Sequence, residues 1–273
     1  MTALVRAMRT PMPPALRFGM PRDRLDPLRA LIASLYGNGE QGAMYVPQPT
    51  LLGEQVLYQD AAGTVPVTAD GDPVGRNDDV SGNGNPATQS VSANRPLYQT
   101  DGSLHWLAFD GAGDALESSF APAAPYTLAA AISLLPGSNF MYGFGGGYLA
   151  AAPIAGSGIG MSTQGRYYAQ TRIDGNVAEF SRRAVDGAAW VVVVRVAADG
   201  TVTVDDELGT ETRSTALTNI QMSTGVSVGR PAQSSNTVGD MQGTFFGGIA
   251  IDRWISDQEV ADVRAYLNKQ AGV

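Results

Sequence analysis

Between residues 43 and 251 the chain is built from short apolar or alternating runs, at 56–58, 104–109, 126–135, 166–172, 177–182, 190–197, 201–205, 225–230 and 244–251. Turn residues close nearly every one. Runs of this kind, with no helical periodicity between them, read as β-strands, and their succession fits a two-sheet sandwich or jelly roll better than a parallel α/β fold. Asp199-Gly200 separates the apolar run 190–196 from the alternating Thr201-Val202-Thr203-Val204. That is a hairpin signal, because Gly accepts the positive φ such turns require. Asp174-Gly175-Asn176 reads as a second hairpin.

Two segments change the period. Asp26 is a good N-cap, Pro27 fits the first helical position, and Leu28, Leu31, Ile32 and Leu35 recur at helical spacing before Gly37, which predicts a helix over 27–36. Near the other end, Ser256 and Glu259 form a capping box and Ile255 and Val260 a hydrophobic staple. A helix over 257–269 follows, with an apolar stripe of Val260, Val263 and Leu267 to dock on the sandwich and Gly272 just past its end. The expected division is an anchoring arm with a short helix, 1–42, and a sandwich domain, 43–273.

Composition narrows the function classes. With 26 acidic against 18 basic residues the net charge is −8 and the pI about 4.6, the opposite balance to that of a nucleic-acid binder. The chain has no Cys and one His. Disulfides, thiolate metal sites, cysteine nucleophiles and two-histidine metal sites within the chain are therefore excluded. The first 30 residues hold six arginines against two aspartates, a net of +4, which leaves −12 on the rest. Arg6, Arg9, Arg17, Arg22 and Arg24 are the candidate anchors to an acidic partner. Pro11, Pro13 and Pro14, with no apolar run of signal-peptide length, predict an extended arm. Residues 118–165 carry no charge, but the longest apolar segment, 127–135, is bounded by Pro125 and Pro136 and falls far short of the roughly 20 residues that span a bilayer. This stretch is read as buried strands with Gly-rich connections, or as a surface buried against a partner chain.

Several blocks resemble a known module. These are Gly71-Asp72-Pro73-Val74-Gly75-Arg76, then Asp79-Val80-Ser81-Gly82-Asn83-Gly84-Asn85-Pro86-Ala87-Thr88-Gln89, Arg95-Pro96, and Leu104-His105-Trp106-Leu107-Ala108-Phe109-Asp110-Gly111. The closing Gly247-Gly248-Ile249-Ala250-Ile251-Asp252-Arg253-Trp254-Ile255-Ser256-Asp257 before a capped helix belongs with them. Together they resemble concanavalin A-like (laminin G-like) jelly-roll modules of tailed-bacteriophage and prophage virion structural proteins. The resemblance covers about residues 43–273. It implies an all-β jelly-roll sandwich with a short N-terminal and a C-terminal helix, located in the virion on the tail or baseplate, with capsid decoration as the alternative. The implied partners are other virion subunits and host-surface carbohydrate.

Glucanases share that fold, so catalysis has to be weighed. Retaining glycosidases need two carboxylates about 5 Å apart, and none of the seven glutamates, at 40, 54, 117, 179, 207, 211 and 259, begins a Glu-x-Asp-x-x-Glu strand pattern. Asp205-Asp206-Glu207 reads as a solvated turn, and His105, with Asp101 as a candidate neighbour, as a strand residue beside Trp106. The expectation is that the chain is not an enzyme; a glycan-degrading enzyme of the same fold and a secreted adhesion module are the competing readings. Asp79, Ser81, Asn83 and Asn85 alternate in an Asp/Asn-rich loop. They are placed either to build successive turns or to supply the oxygens that calcium takes, the one cofactor the sequence suggests. Tyr142, Tyr148, Tyr167 and Tyr168 are the candidate sugar-stacking aromatics. A homo-oligomer, most simply a trimer, is expected, with part of 118–165 in the subunit contact.

Overall fold

The computed structural model describes residues 26–137, 140–147, 155–173, 176–214, 220–230 and 239–273. Helix α1 (Pro27–Tyr36) leads into strands β1 (Gly42–Tyr45), β2 (Thr50–Leu51), β3 (Glu54–Gln55), β4 (Leu57–Tyr58), β5 (Arg76–Asn77), β6 (Ala87–Thr88) and β7 (Leu97–Thr100). Then come β8 (His105–Asp110), β9 (Leu116–Glu117), β10 (Tyr126–Leu134), β11 (Met141–Gly146), β12 (Ala155–Met161) and β13 (Arg166–Ile173). The chain ends in β14 (Asn176–Ala184), β15 (Trp190–Val196), β16 (Thr201–Asp206), β17 (Gly209–Ser214), β18 (Val226–Val228), β19 (Gln242–Ile251) and α2 (Asp257–Ala271). One sheet runs β17-β16-β15-β10-β19-β8-β7, with β1 pairing β19 as well, and the other runs β14-β13-β12-β11-β18-β9-β6-β5-β4. The expected all-β sandwich with two helices is what forms.

Two cores explain why its central strands are apolar on both faces. Along β15, Trp190, Val192, Val194 and Val196 point into the core between the sheets, while Val191 and Val193 point outward to the helices. Leu128, Ala130 and Ile132 of β10 alternate with Ala129 and Ala131 in the same way. A strand covered on both faces loses the polar alternation of a half-exposed one and reads as a continuous apolar run. The outer core is closed by Leu28, Leu31 and Leu35 of α1 and Val260, Val263 and Leu267 of α2. Helix α1 is thus part of the sandwich's second core, and the 42/43 boundary falls at the start of β1.

The capping box at Ser256 and Glu259 is present in both directions, and the staple residues Ile255 and Val260 are buried. Arg253 joins the two helices. Its guanidinium meets Glu259 at 2.5 Å and donates to the Ser34 and Leu35 carbonyls at the end of α1, each at 3.2 Å. The Asp199-Gly200 hairpin forms between β15 and β16, with Gly200 at φ 87°. Of the second predicted hairpin, the flanking strands pair Ile173 with Asn176, and residues 174–175 lie outside the described residues.

The uncharged stretch supplies β10, β11 and β12, whose described side chains are almost all buried in this chain's own sheets. That removes the reason for placing it in a subunit contact. Its glycines allow the sheet to close: a Cβ added at Gly160 would lie 2.1 Å from the Met141 carbonyl oxygen, and one at Gly156 would lie 2.3 Å from that of Gly146. Asp205 and Asp206 overturn the solvated-turn reading, since both are buried. Arg195 pairs with Asp205 at 3.2 Å, and Arg182 with Asp206, which also accepts the Trp190 indole N–H at 3.1 Å. The arm residues Arg6, Arg9, Arg17, Arg22 and Arg24 lie outside the described residues. No described helix is long and apolar enough to cross a membrane.

Candidate functional site

The residues singled out from sequence do not assemble a site. Tyr142, Tyr167 and Tyr168 are at most 1% exposed and are core residues rather than sugar platforms. Tyr167 donates to the Ala188 carbonyl and packs 4.9 Å from the Trp190 ring. Tyr148 lies outside the described residues. In the Asp/Asn-rich loop the Asp79 carboxylate already accepts the Met44, Ser81 and Asn85 N–H groups at 2.9, 2.9 and 3.1 Å and the Ser81 hydroxyl at 2.9 Å. Asn83 and Asn85 donate their amides to the carbonyls of Glu40 and Gly42. Oxygens filled by N–H donors are poor cation ligands, and Asp79, Ser81, Asn83 and Asn85 act here as turn builders that clamp β1. His105 shares a 2.6 Å hydrogen bond with the Tyr98 hydroxyl, and burial lowers its pKa. Asp101 instead accepts the Ser103 and Leu104 N–H groups.

A groove of about 570 Å³ does gather recognition chemistry on the surface beside that loop. One wall is the hairpin of β2 and β3, whose two turn residues, Leu52 and Gly53, sit at φ 55° and 92°. A left-handed turn suits Gly53, whereas Leu52 bears a cost of roughly 1–2 kcal/mol there. Its carbonyl is held by Arg29 at 3.4 Å, and its half-buried side chain reaches the outer core. Leu51, Leu52, Val56, Val80 and Pro86 line the apolar part. The polar part is Tyr58, Glu54, Gln55 and the Arg76–Asp78 ion pair, 2.5 Å apart and 29% and 27% exposed. Tyr58 is fixed by donating to the Gln55 carbonyl at 3.1 Å. From sequence, Tyr58 reads only as a strand residue, Arg76 only as a family marker and Asp78 only as one of the oxygen-bearing residues of the Asp/Asn-rich loop. The Gly53 turn was the one local signal of the hairpin.

A larger groove of about 650 Å³ runs between α1 and α2, past Leu28, Leu31, Leu51, Leu52 and Tyr266. It holds no ion pair comparable with Arg76–Asp78 among the described residues. A third feature lies where β8 and β19 of one sheet meet β9 and β18 of the other. Burial pushes the Asp114 carboxyl up to about 6, and burial also raises Asp240, with Arg230 pulling the other way.

Comparison with known proteins gives a fold but no family. No family model and no curated protein matches the chain. Among solved structures, an arabinofuranosidase complexed with arabinofuranosyl-alpha-1,2-xylobiose aligns with a TM-score of 0.60 at 13% identity, over 88% of this chain and 65% of that one. A mutant GH54 α-L-arabinofuranosidase aligns with a TM-score of 0.59 at 14% identity and the same coverage. The chain thus spans about 65% of the length of these two enzymes. Domain 4 of a GH43 extracellular arabinanase from Geobacillus stearothermophilus, in complex with arabinotriose, aligns at 0.51 and 12% identity over 68% of this chain and 92% of that one. The expectation that the chain is not an enzyme does not stand. Arabinofuranosidases are built on the fold it adopts, and a missing Glu-x-Asp-x-x-Glu pattern excludes only one arrangement of carboxylates.

Proposed function

We propose that the chain is a glycan-directed β-sandwich that holds a saccharide in the groove between the β2–β3 hairpin and strands β4 and β5. The observation that carries this reading is the pairing, in one groove of about 570 Å³, of the half-exposed Arg76–Asp78 pair with an apolar floor from Leu51, Leu52 and Val56. A guanidinium and a carboxylate side by side donate to and accept from neighbouring sugar hydroxyls, while the apolar floor takes the C–H face of the ring. The volume suits one or two sugar units. The sugars bound in the similar solved structures, among them arabinotriose, support arabinose-containing oligosaccharides as the first ligands to try.

The test is calorimetric titration of the whole chain with arabino- and xylo-oligosaccharides, with release of free sugar measured on the same samples. Saturable binding that falls about tenfold or more in Arg76→Ala and Asp78→Ala is the expected result. No binding, or binding indifferent to both substitutions, overturns the groove. Sugar release would make the chain a hydrolase as well as a binder. We further propose a virion setting, which rests on the resemblance of the 71–111 and 247–257 blocks; recovery of the chain in purified particles is its test.

A further inference from the structure

At their ends the two main sheets present four edge strands, β17, β7, β14 and β4, and three of these are covered or blunted. Along β7 the Gly71 N–H donates to the Tyr98 carbonyl and the Val74 N–H to that of Pro96, each at 2.8 Å. Beside β4 the Val67 N–H donates to the Leu57 carbonyl at 3.0 Å and the Gln59 N–H to that of Val65 at 2.7 Å. Strand β14 pairs through a bulge near Arg166 and carries Glu179, Arg182 and Arg183. Strand β17 differs from all three. It pairs with β16 in unbroken register, holds neither Pro nor Lys, and is exposed at every residue but Glu211. An open, regular edge of this kind is a template for another strand.

The geometry of β17 fixes how a second strand would add. Asp206 and Gly209 close a two-residue turn, so Gly209, Glu211 and Arg213 direct their backbone groups at β16. Thr210, Thr212 and Ser214 direct theirs outward, and among the described residues no hydrogen bond reaches those groups. An antiparallel copy of β17 can therefore pair only where outward residues face outward residues. With a twofold axis at Thr212, Thr212 faces its own copy, Thr210 faces Ser214, and Glu211 faces Arg213 on both sides of the axis. Moving the axis to Glu211 or Arg213 keeps a hydrogen-bonded ladder but sets Glu against Glu or Arg against Arg, which is destabilising. Alone of these three registers, the one at Thr212 joins the ladder to opposite charges. Glu211 and Arg213 already lie on one face of the strand, 2.8 Å apart, with the Arg213 guanidinium held over the Phe180 ring.

We propose that two copies of this chain pair antiparallel along β17, about a twofold axis at Thr212, and so join their sheets into one. The saccharide groove lies beside β4 and β5, at the end of its sheet away from β14, the strand that neighbours β17 through Arg182 and Phe180. Both grooves stay open in such a dimer, which raises avidity for a repeating glycan; that consequence rests on the saccharide reading, whereas the pairing is read from mass. Sedimentation equilibrium of the whole chain at up to about 0.1 mM should show a reversible monomer–dimer equilibrium. Thr212→Pro removes an outward N–H where an edge strand tolerates proline, so it should stay monomeric with an unchanged circular dichroism spectrum. Arg213→Glu, which faces like charges, should weaken the dimer at least about tenfold. Because the chain has no Cys, a short bismaleimide linker should join Thr212→Cys to its copy and should leave Ala261→Cys, at an exposed position of α2, unjoined. A monomer throughout, a trimer, or a dimer that persists in Thr212→Pro overturns the proposal. Should that variant fail to fold, cross-linking at position 212 no faster than at 261 overturns it. None of these readouts involves sugar, so a failure of saccharide binding and a failure of pairing are told apart.

Discussion

Asp206 illustrates how much a single residue can carry here. Its carboxylate, 1% exposed, receives Arg182 and the Trp190 indole, and Arg182 also reaches Glu211 at 2.9 Å and the Gly209 carbonyl at 2.9 Å. Removing one partner of a buried pair leaves the other charged and unsolvated, so Asp206→Ala should lower stability by about 3–5 kcal/mol, read from the urea midpoint. Glu259 has a different signature. The hydrogen bond from Arg253, followed by those of Ser256, holds its carboxyl at about 2, below its ordinary 4.5. A depressed folded-state pKa means that the stabilisation is complete above about pH 4.5 and is lost as pH falls toward 2. Glu259→Gln should therefore cost about 1–2 kcal/mol at neutral pH and flatten the loss of stability between pH 4.5 and 2, as followed by acid titration of the melting temperature.

At the scale of elements, the β2–β3 hairpin separates stability from recognition. Leu52 is strained at φ 55° yet half-buried on the helices, so relief of strain and loss of packing oppose each other in Leu52→Gly. The expected change in stability is under about 1 kcal/mol, while saccharide affinity falls because a wall of the groove is gone. Thermal melts and calorimetric titration of the same sample check both halves. Helix α2 was readable from sequence, because its cap, staple and stripe are local features within one stretch of chain. The hairpin was not, since its strands are two residues each and take their place from α1 and the neighbouring sheet edge.

On the whole molecule, the two cores share β10, β15 and β19, whose alternate residues face opposite sides. Loss of either core exposes one face of the same strands. Denaturation should therefore be a single transition, with tryptophan fluorescence and far-ultraviolet circular dichroism coinciding, because neither core can unfold alone. A first transition confined to the helical signal would show that the outer core is separable. The shared strands also explain why 118–165 carries no charge: its strands are interior to both sheets, and no partner chain is needed to account for it.

The class of fold, both helices with their caps, and the 190–204 hairpin were legible in the chain, since each rests on periodicity or capping among residues close along it. The sequence also placed the turn-building role of Asp79, Ser81, Asn83 and Asn85 among its readings. Burial decided the rest. Tyr142, Tyr167 and Tyr168 alternate as strand residues should, but an aromatic ring suits a core as well as a sugar, and only packing distinguishes the two. Asp205 and Asp206 look like a polar turn until Arg182 and Arg195 arrive from other strands to neutralise them. The Arg76–Asp78 groove is likewise a product of tertiary structure. It takes its walls from a hairpin, a sheet edge and a loop, which no local pattern in the chain brings together.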